Sequence, residues 1–251
     1  GDLFVANGTG DSVTEFRAAG HKHLRTVHST AGDLADPIAL ATTAGDLYVL
    51  DAGGSVTELS TATGAVLGTA SGATYGFDHP TGLTAGGGDV FVANSAANTV
   101  TVVDAQTMAF VSTLSGSPYD FDTPTGVAFD GTNVWVTNQS DQSVTEFSGS
   151  TLAEENVISS NWLPTVGPIT AGDGWVFTVS PPGDSPMVSQ IDPWSNQVDW
   201  MMCNTNGPYL FNNPQALTVT GSNLWVVNQG GNSLTEMDAD SGNLIRTVGN
   251  P

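Results

Sequence analysis

Positive charge is nearly absent from this chain. Four Lys and Arg stand against 25 Asp and Glu, a formal net charge of −21 at pH 7. Phosphate backbones and anionic lipid surfaces are bound through clustered Lys and Arg, so nucleic acid is excluded as an expected partner. Charge of either sign is scarce at 12% of residues, which leaves little scope for salt bridges. Cysteine is limited to Cys203, so no intrachain disulfide can form. Within its MMCN segment Cys203 reads as a small buried filler rather than a reactive thiol. No run of 18 apolar residues exists, so no membrane insertion is expected. No basic-then-apolar leader stands at Gly1, so a signal peptide is expected to have been removed or never present. Helical periodicity, a Gly-rich phosphate loop, a Ser-His-Asp order and G-x-S-x-G are all missing.

What is present is repetition. GTNVWVTNQSDQSVTEF (Gly131–Phe147) reads as strand, polar turn, strand, and it has counterparts starting at Gly1, Gly45, Gly88, Gly174 and Gly221. The equivalent positions Leu3, Leu47, Val90, Val134, Val176 and Leu224 define a period of about 40–45 residues, that of a propeller blade. In the third repeat the strands are expected at Thr81–Ala85, Asp89–Ala93, Thr99–Val103 and Ala109–Leu114. The expected fold is therefore all-β: one six-bladed β-propeller domain over 1–251, with four-stranded antiparallel blades around a central channel. Continuous apolar runs such as LFVA, LYVL and VWV fit second strands buried on both faces.

Gly1 begins directly at the second strand of its repeat, and RTVGNP (Arg246–Pro251) matches the loop ahead of a first strand. One blade is thus expected to be incomplete, lacking its inner strand. Unpaired inner backbone is costly, so residues beyond this chain or a strand donated by another chain should complete it.

VFVANSAANTVTVVDAQTMAFVSTL (Val90–Leu114) and WVTNQSDQSVTEF resemble the YVTN-type propeller repeat, with its aromatic-Val-x-Asn strand end. PTGLTAG and PTGVAFDG resemble the start of NHL repeats and of the streptogramin-lyase-like propellers. The resemblance covers nearly the whole chain in short motifs. It implies extracellular or surface proteins, protein-binding platforms, and a few metal-dependent lyases and lactonases.

Three sets of residues are candidates for function. The second strand ends on Asn7, Asp51, Asn94, Asn138, Ser180 and Asn228. Such residues suit a turn, hydrogen-bonding backbone two residues on; read functionally, they ring the channel mouth and hold a cation or sugar hydroxyls. The S-V-T-E acid recurs as Glu15, Glu58, Glu146 and Glu236, with Val102 and Gln190 as exceptions. Equivalent carboxylates argue against a catalytic pair and for a structural role, accepting backbone or hydroxyl donors. The loops before the first strands carry Tyr75 and Phe77, Tyr119 and Phe121, and Tyr209 and Phe211, with Trp162 in the fifth repeat. Phe would wedge between blades while Tyr packs on the loop; exposed on the same face as the Asn residues, they would suit sugars or a protein.

Metal signals are thin. His21 and His23 would share a strand face near His28, on an outer edge, and His79 is alone in its loop. A metal-dependent lyase resembling the streptogramin lyases would need several such ligands to converge. No cofactor is expected unless calcium or magnesium sits among Asp51, Asp78, Asp120 and Asp122, whose oxygens it would accept. The expectation is an acidic, secreted or cell-surface bacterial recognition propeller, non-enzymatic, with a protein or carbohydrate ligand. The alternatives are the metal-dependent lyase or lactonase, and an assembly subunit completed by a neighbour's strand. The fifth repeat is irregular, with PPGDSP, Trp194 and Trp200, and function is expected to break the symmetry between the fifth and sixth blades.

Overall fold

The computed structural model describes residues 2–28, 32–160, 163, 166–180, 186–204 and 207–249. It is all-β, a six-bladed β-propeller whose blades are antiparallel sheets. The chain forms two compact units, Gly1–Gly116 and Ser117–Pro251.

In the first unit, the first sheet is β1 (Asp2–Asn7), β2 (Ser12–Arg17) and β3 (Lys22–His28). The second is β4 (Pro37–Thr42), β5 (Asp46–Asp51), β6 (Ser55–Ser60) and β7 (Val66–Ser71), and the third is β8 (Pro80–Gly86), β9 (Asp89–Asn94), β10 (Thr99–Asp104) and β11 (Phe110–Ser115). In the second unit, the fourth sheet is β12 (Pro124–Phe129), β13 (Asn133–Asn138), β14 (Ser143–Ser148) and β15 (Glu154–Ser159). The fifth is β16 (Ile169–Gly172), β17 (Trp175–Val179), β18 (Met187–Asp192) and β19 (Gln197–Cys203), and the sixth is β20 (Pro214–Thr220), β21 (Asn223–Asn228), β22 (Ser233–Asp238) and β23 (Leu244–Gly249). Strands pair in chain order within every sheet, and the first sheet has three strands among the described residues.

Continuous apolar runs fall where both faces of a strand are covered. β5, β9 and β13 are buried along nearly their whole length, whereas β1, the edge of the three-stranded sheet, is largely exposed. Within each unit the cores lie between successive sheets. Val13, Leu34, Leu47, Val49 and Leu59 fill the space between the first and second. Tyr48, Leu50, Val90, Val92 and Met108 fill that between the second and third. In the other unit, Trp135, Val144, Val176 and Ile191 join the fourth sheet to the fifth, and Phe177, Met202, Leu224 and Met237 join the fifth to the sixth. At roughly 1.5–3 kcal/mol per fully buried large apolar side chain, these layers are the main stabilising contribution.

A β-bulge recurs at one place. In the pairing of the last two strands of every sheet, the register shifts immediately after the residue at the S-V-T-E acid position: after Glu15, Glu58, Val102, Glu146, Gln190 and Glu236. The extra residue on the outer strand increases the local twist and re-aims the side chains beside it. Each acid is thereby set against one defined outer-strand partner.

One sequence expectation is corrected here. His21 does not share a strand face with His23, because it sits in the turn before β3 with a left-handed φ of 51°. His23 and His28 are on β3, with His23 Nε2 3.1 Å from Thr26 Oγ1.

Candidate functional site

The residues at the second-strand ends are built into the framework. Asn94 is buried; its Nδ2 donates to Thr101 Oγ1 at 2.9 Å and Thr99 Oγ1 at 3.1 Å, while Oδ1 accepts from the Asp78 amide at 3.4 Å. Thr101 Oγ1 in turn donates to the Tyr75 carbonyl at 2.9 Å. The same circuit runs from Asn138 through Thr145 to the Tyr119 carbonyl, and from Asn228 through Thr235 to the Tyr209 carbonyl. Asn7 bonds Thr14 at 2.9 Å in the first sheet. The Asn therefore bridges its own turn, to Ser12, Thr99 or Ser143, and also reaches the hydroxyl seven residues on, which ties down the aromatic loop. This accounts for Thr in SVTE and TVTV.

Asp51 and Ser180 depart from that chemistry. Asp51 accepts from Ser55 Oγ at 2.9 Å, but Thr57 spends its proton on the Asp33 carbonyl, and Asp51 Oδ1 is buried without a partner. Burial pushes its carboxyl up to about 6, against hydrogen bonds from Ser55 and the Ala35 amide and with help from the nearby charges of Asp11 and Asp33. Ser180 Oγ is likewise buried and unpartnered among the described residues.

The aromatic loops point inward, contrary to the exposed reading. Tyr75 and Phe77 stack at 5.6 Å and pack against the second–third core, with the Tyr75 hydroxyl donating to the Met108 carbonyl at 2.8 Å. Tyr119 and Phe121 stack at 5.4 Å against Phe147, and the Tyr119 hydroxyl donates to the Leu152 carbonyl at 2.6 Å. Tyr209 and Phe211 are buried in the fifth–sixth core, stacked at 5.3 Å. Phe121, Tyr209 and Phe211 are buried and Tyr75, Phe77 and Tyr119 half-buried, with each loop backbone clamped by the Asn–Thr circuit. Trp162 lies outside the described residues.

His79 Nδ1 is 2.9 Å from Asp78 Oδ1, and both side chains are exposed. Asp120 is exposed in its loop and Asp122 half-buried beside Asn138. Among the described residues no group of three or more His, Cys, Asp or Glu is placed to hold a metal ion.

A different site emerges on the fourth and fifth sheets. A cavity of about 590 Å³ is lined by Asn133, Glu146 and Glu155 from the fourth sheet, and by Asp173, Trp175, Trp194 and Asn196 from the fifth. Trp194 is 96% exposed at its rim. Glu146, only 2% exposed, accepts from Asn133 Nδ2 at 2.6 Å through Oε1, while Oε2 is buried without a hydrogen bond. Asn196 Oδ1 is also buried with no donor. Burial raises the Glu146 carboxyl above the usual range; the Asn133 and Asn196 amides oppose the shift, while Glu155 and Asp130 add to it. Asp130 itself is committed to the Trp135 indole at 2.7 Å and to the Thr132 and Asn133 amides.

The equivalent acids in other sheets are closed off differently. Their donors are chiefly guanidinium and carboxamide groups, not the backbone or hydroxyl donors expected. Glu15 pairs with Arg25, directly opposite on β3, and Glu236 with Arg246, directly opposite on β23. Glu236 also accepts from Asn223, and Arg246 lies 5.5 Å over the Trp225 ring. Opposite Glu58 stands Gly68, where an added Cβ would come 2.8 Å from Met108 Cγ, so Met108 occupies that space. Gln190 donates to the Ala239 carbonyl at 3.0 Å. Opposite Glu146 is Asn156, and the chain holds no Lys or Arg between Arg25 and Arg246. Sequence reading missed this site because its members come from separate strands; the legible signal was the change from Arg25 and Arg246 to Asn156 at one repeat position.

Comparison with known proteins gives the fold alone. No protein-family model and no curated protein matches the sequence. Among solved structures, virginiamycin B lyase from Staphylococcus aureus is similar with a TM-score of 0.76 at 15% identity, covering 100% of this chain and 81% of that one. A streptogramin B lyase structure gives 0.78 at 15% identity over 100% and 80%. The RRP9 WD40 repeats give 0.79 at 11% identity over 99% and 77%. The class is thus a streptogramin B lyase-like or WD40-like β-propeller fold.

Proposed function

We propose that this propeller is a recognition module, not an enzyme, and that it binds a protein ligand at the cavity of the fourth and fifth sheets. The observation that carries the reading is the exposed Trp194 at the rim of a cavity holding the buried, half-paired carboxylate of Glu146. A large amphipathic ring beside a desolvated polar anchor is the arrangement in which interface energy concentrates. The repeated Asn and aromatic positions are engaged within the framework, so the site that departs from the repeat is the one left to act. A location outside the cell or on its surface is supported by the low charge content and by the resemblance to YVTN-type repeats. The test is titration of the intrinsic tryptophan fluorescence with peptide and oligosaccharide panels. The reading expects saturable quenching by peptides that is lost in Trp194→Ala; quenching by oligosaccharides alone would make the ligand a carbohydrate, and none by either would overturn the reading.

A second reading is favoured by the exposure of Leu3 and Val5 on the edge strand β1. An added strand from another chain would cover that edge by β-augmentation. Concentration-dependent association that is lost in Val5→Pro would support it; a monomer at all concentrations would not.

A further inference from the structure

We infer that the cavity of the fourth and fifth sheets takes a guanidinium group of its ligand, an arginine side chain, with Glu146 as its counter-ion. The inference rests on the binding reading above and narrows it to one chemistry. Glu146 Oε2 lines the cavity buried and without a close hydrogen bond, with the Asn196 amide beside the carboxylate as its neighbour from the fifth sheet. A buried acceptor is costly to leave unmade, so a group that reaches Glu146 from the cavity in place of the Asn196 amide must donate hydrogen bonds and accept none. A guanidinium does this with a planar fork of N–H groups and a charge that offsets the carboxylate.

The protein supplies its own template. At the same repeat position Arg25 closes the site of Glu15 and Arg246 that of Glu236, each from the outer-strand residue opposite the acid and just before the bulge. Arg25 also donates to the carbonyls of Thr61 and Ala62, in the hairpin turn of the next sheet. In the fourth sheet the opposing residue is Asn156, and the facing turn of the fifth sheet contributes Asn196, in a left-handed conformation with φ 54°. The slot that an arginine fills in the first and sixth sheets is therefore not filled from the opposing strand in the fourth, and the cavity lies beside it. Arg246 lies over Trp225 in its slot, and Trp194 and Trp175 line the cavity beside Glu146. Glu155 and Asp173, both exposed, add negative potential at the entrance.

The test is calorimetric titration of the whole chain with Nα-acetyl-arginine amide, its lysine counterpart and its neutral citrulline counterpart, at low salt. The arginine amide is expected to bind, the lysine amide more weakly and the citrulline amide not at all. Glu146→Gln, which preserves shape, is expected to lower the affinity at least tenfold. Asn156→Arg is expected to fill the slot from within, raising the melting temperature and abolishing binding, so that it also shows the site folded. Equal binding of the arginine and citrulline amides, or binding unchanged by Glu146→Gln, would overturn the inference. If peptides that quench Trp194 bind while the arginine amide does not, the guanidinium assignment falls and the binding reading stands; if nothing binds, both fall.

Discussion

At the scale of single residues, the repeat shows what each polar group is for by showing what happens when it is exchanged. Three sheets place Asn at the end of the second strand, and its Nδ2 supplies the proton that lets the following Thr hydroxyl serve the aromatic loop. Asp51 cannot supply that proton, and its buried Oδ1 is left without a donor. Its folded-state carboxyl lies near 6 against an ordinary 3.8, so the folded state holds the proton more tightly than the unfolded chain. The stability it contributes is complete below about pH 4 and lost as the pH rises through about 6. Asp51→Asn should therefore stabilise the protein by roughly 1–3 kcal/mol at pH 7.5, with the gain shrinking toward zero at about pH 4. Thermal melts of both proteins across that range would check it; a gain independent of pH would place the cause elsewhere.

At the scale of elements, strands were legible from sequence and side-chain directions were not. The third-repeat strands fall where the alternation and Gly, Asn and Asp punctuation put them, within about one residue. Pattern alone could not say which way Tyr75 or Phe211 points, because a loop ring satisfies the same spacing facing solvent or core. The Asn–Thr–carbonyl circuit decides it, and that circuit depends on cross-strand register. Phe211→Ala should accordingly cost about 3–5 kcal/mol in denaturant unfolding, a core-type loss. Tyr75→Phe, which removes only the hydroxyl bond to the Met108 carbonyl, should cost about 1 kcal/mol. A Phe211→Ala loss below about 1 kcal/mol would mean the ring is not a wedge.

At the scale of the whole molecule, the six-bladed architecture was read from the period because each repeat contributes one sheet. The cavity was not, since Glu146, Asn156 and Asn196 meet only through a bulge and a neighbouring sheet. With a net charge of −21 and two Arg–Glu ion pairs among the described residues, self-repulsion should be appreciable. The melting temperature is expected to rise by several degrees between about 20 mM and 0.5 M sodium chloride as repulsion is screened; a flat response would show the carboxylates already neutralised by other means. The central claim is that Glu146 is a buried carboxylate awaiting a cation which the chain supplies to Glu15 and Glu236 but not to it. Carboxyl carbon NMR of the glutamates across pH, with and without Nα-acetyl-arginine amide, tests this most directly. Glu146 is expected to titrate above the ordinary glutamate range in the free protein and to move down when the arginine amide saturates the site. Titration in the ordinary range, unmoved by the cation, would contradict it.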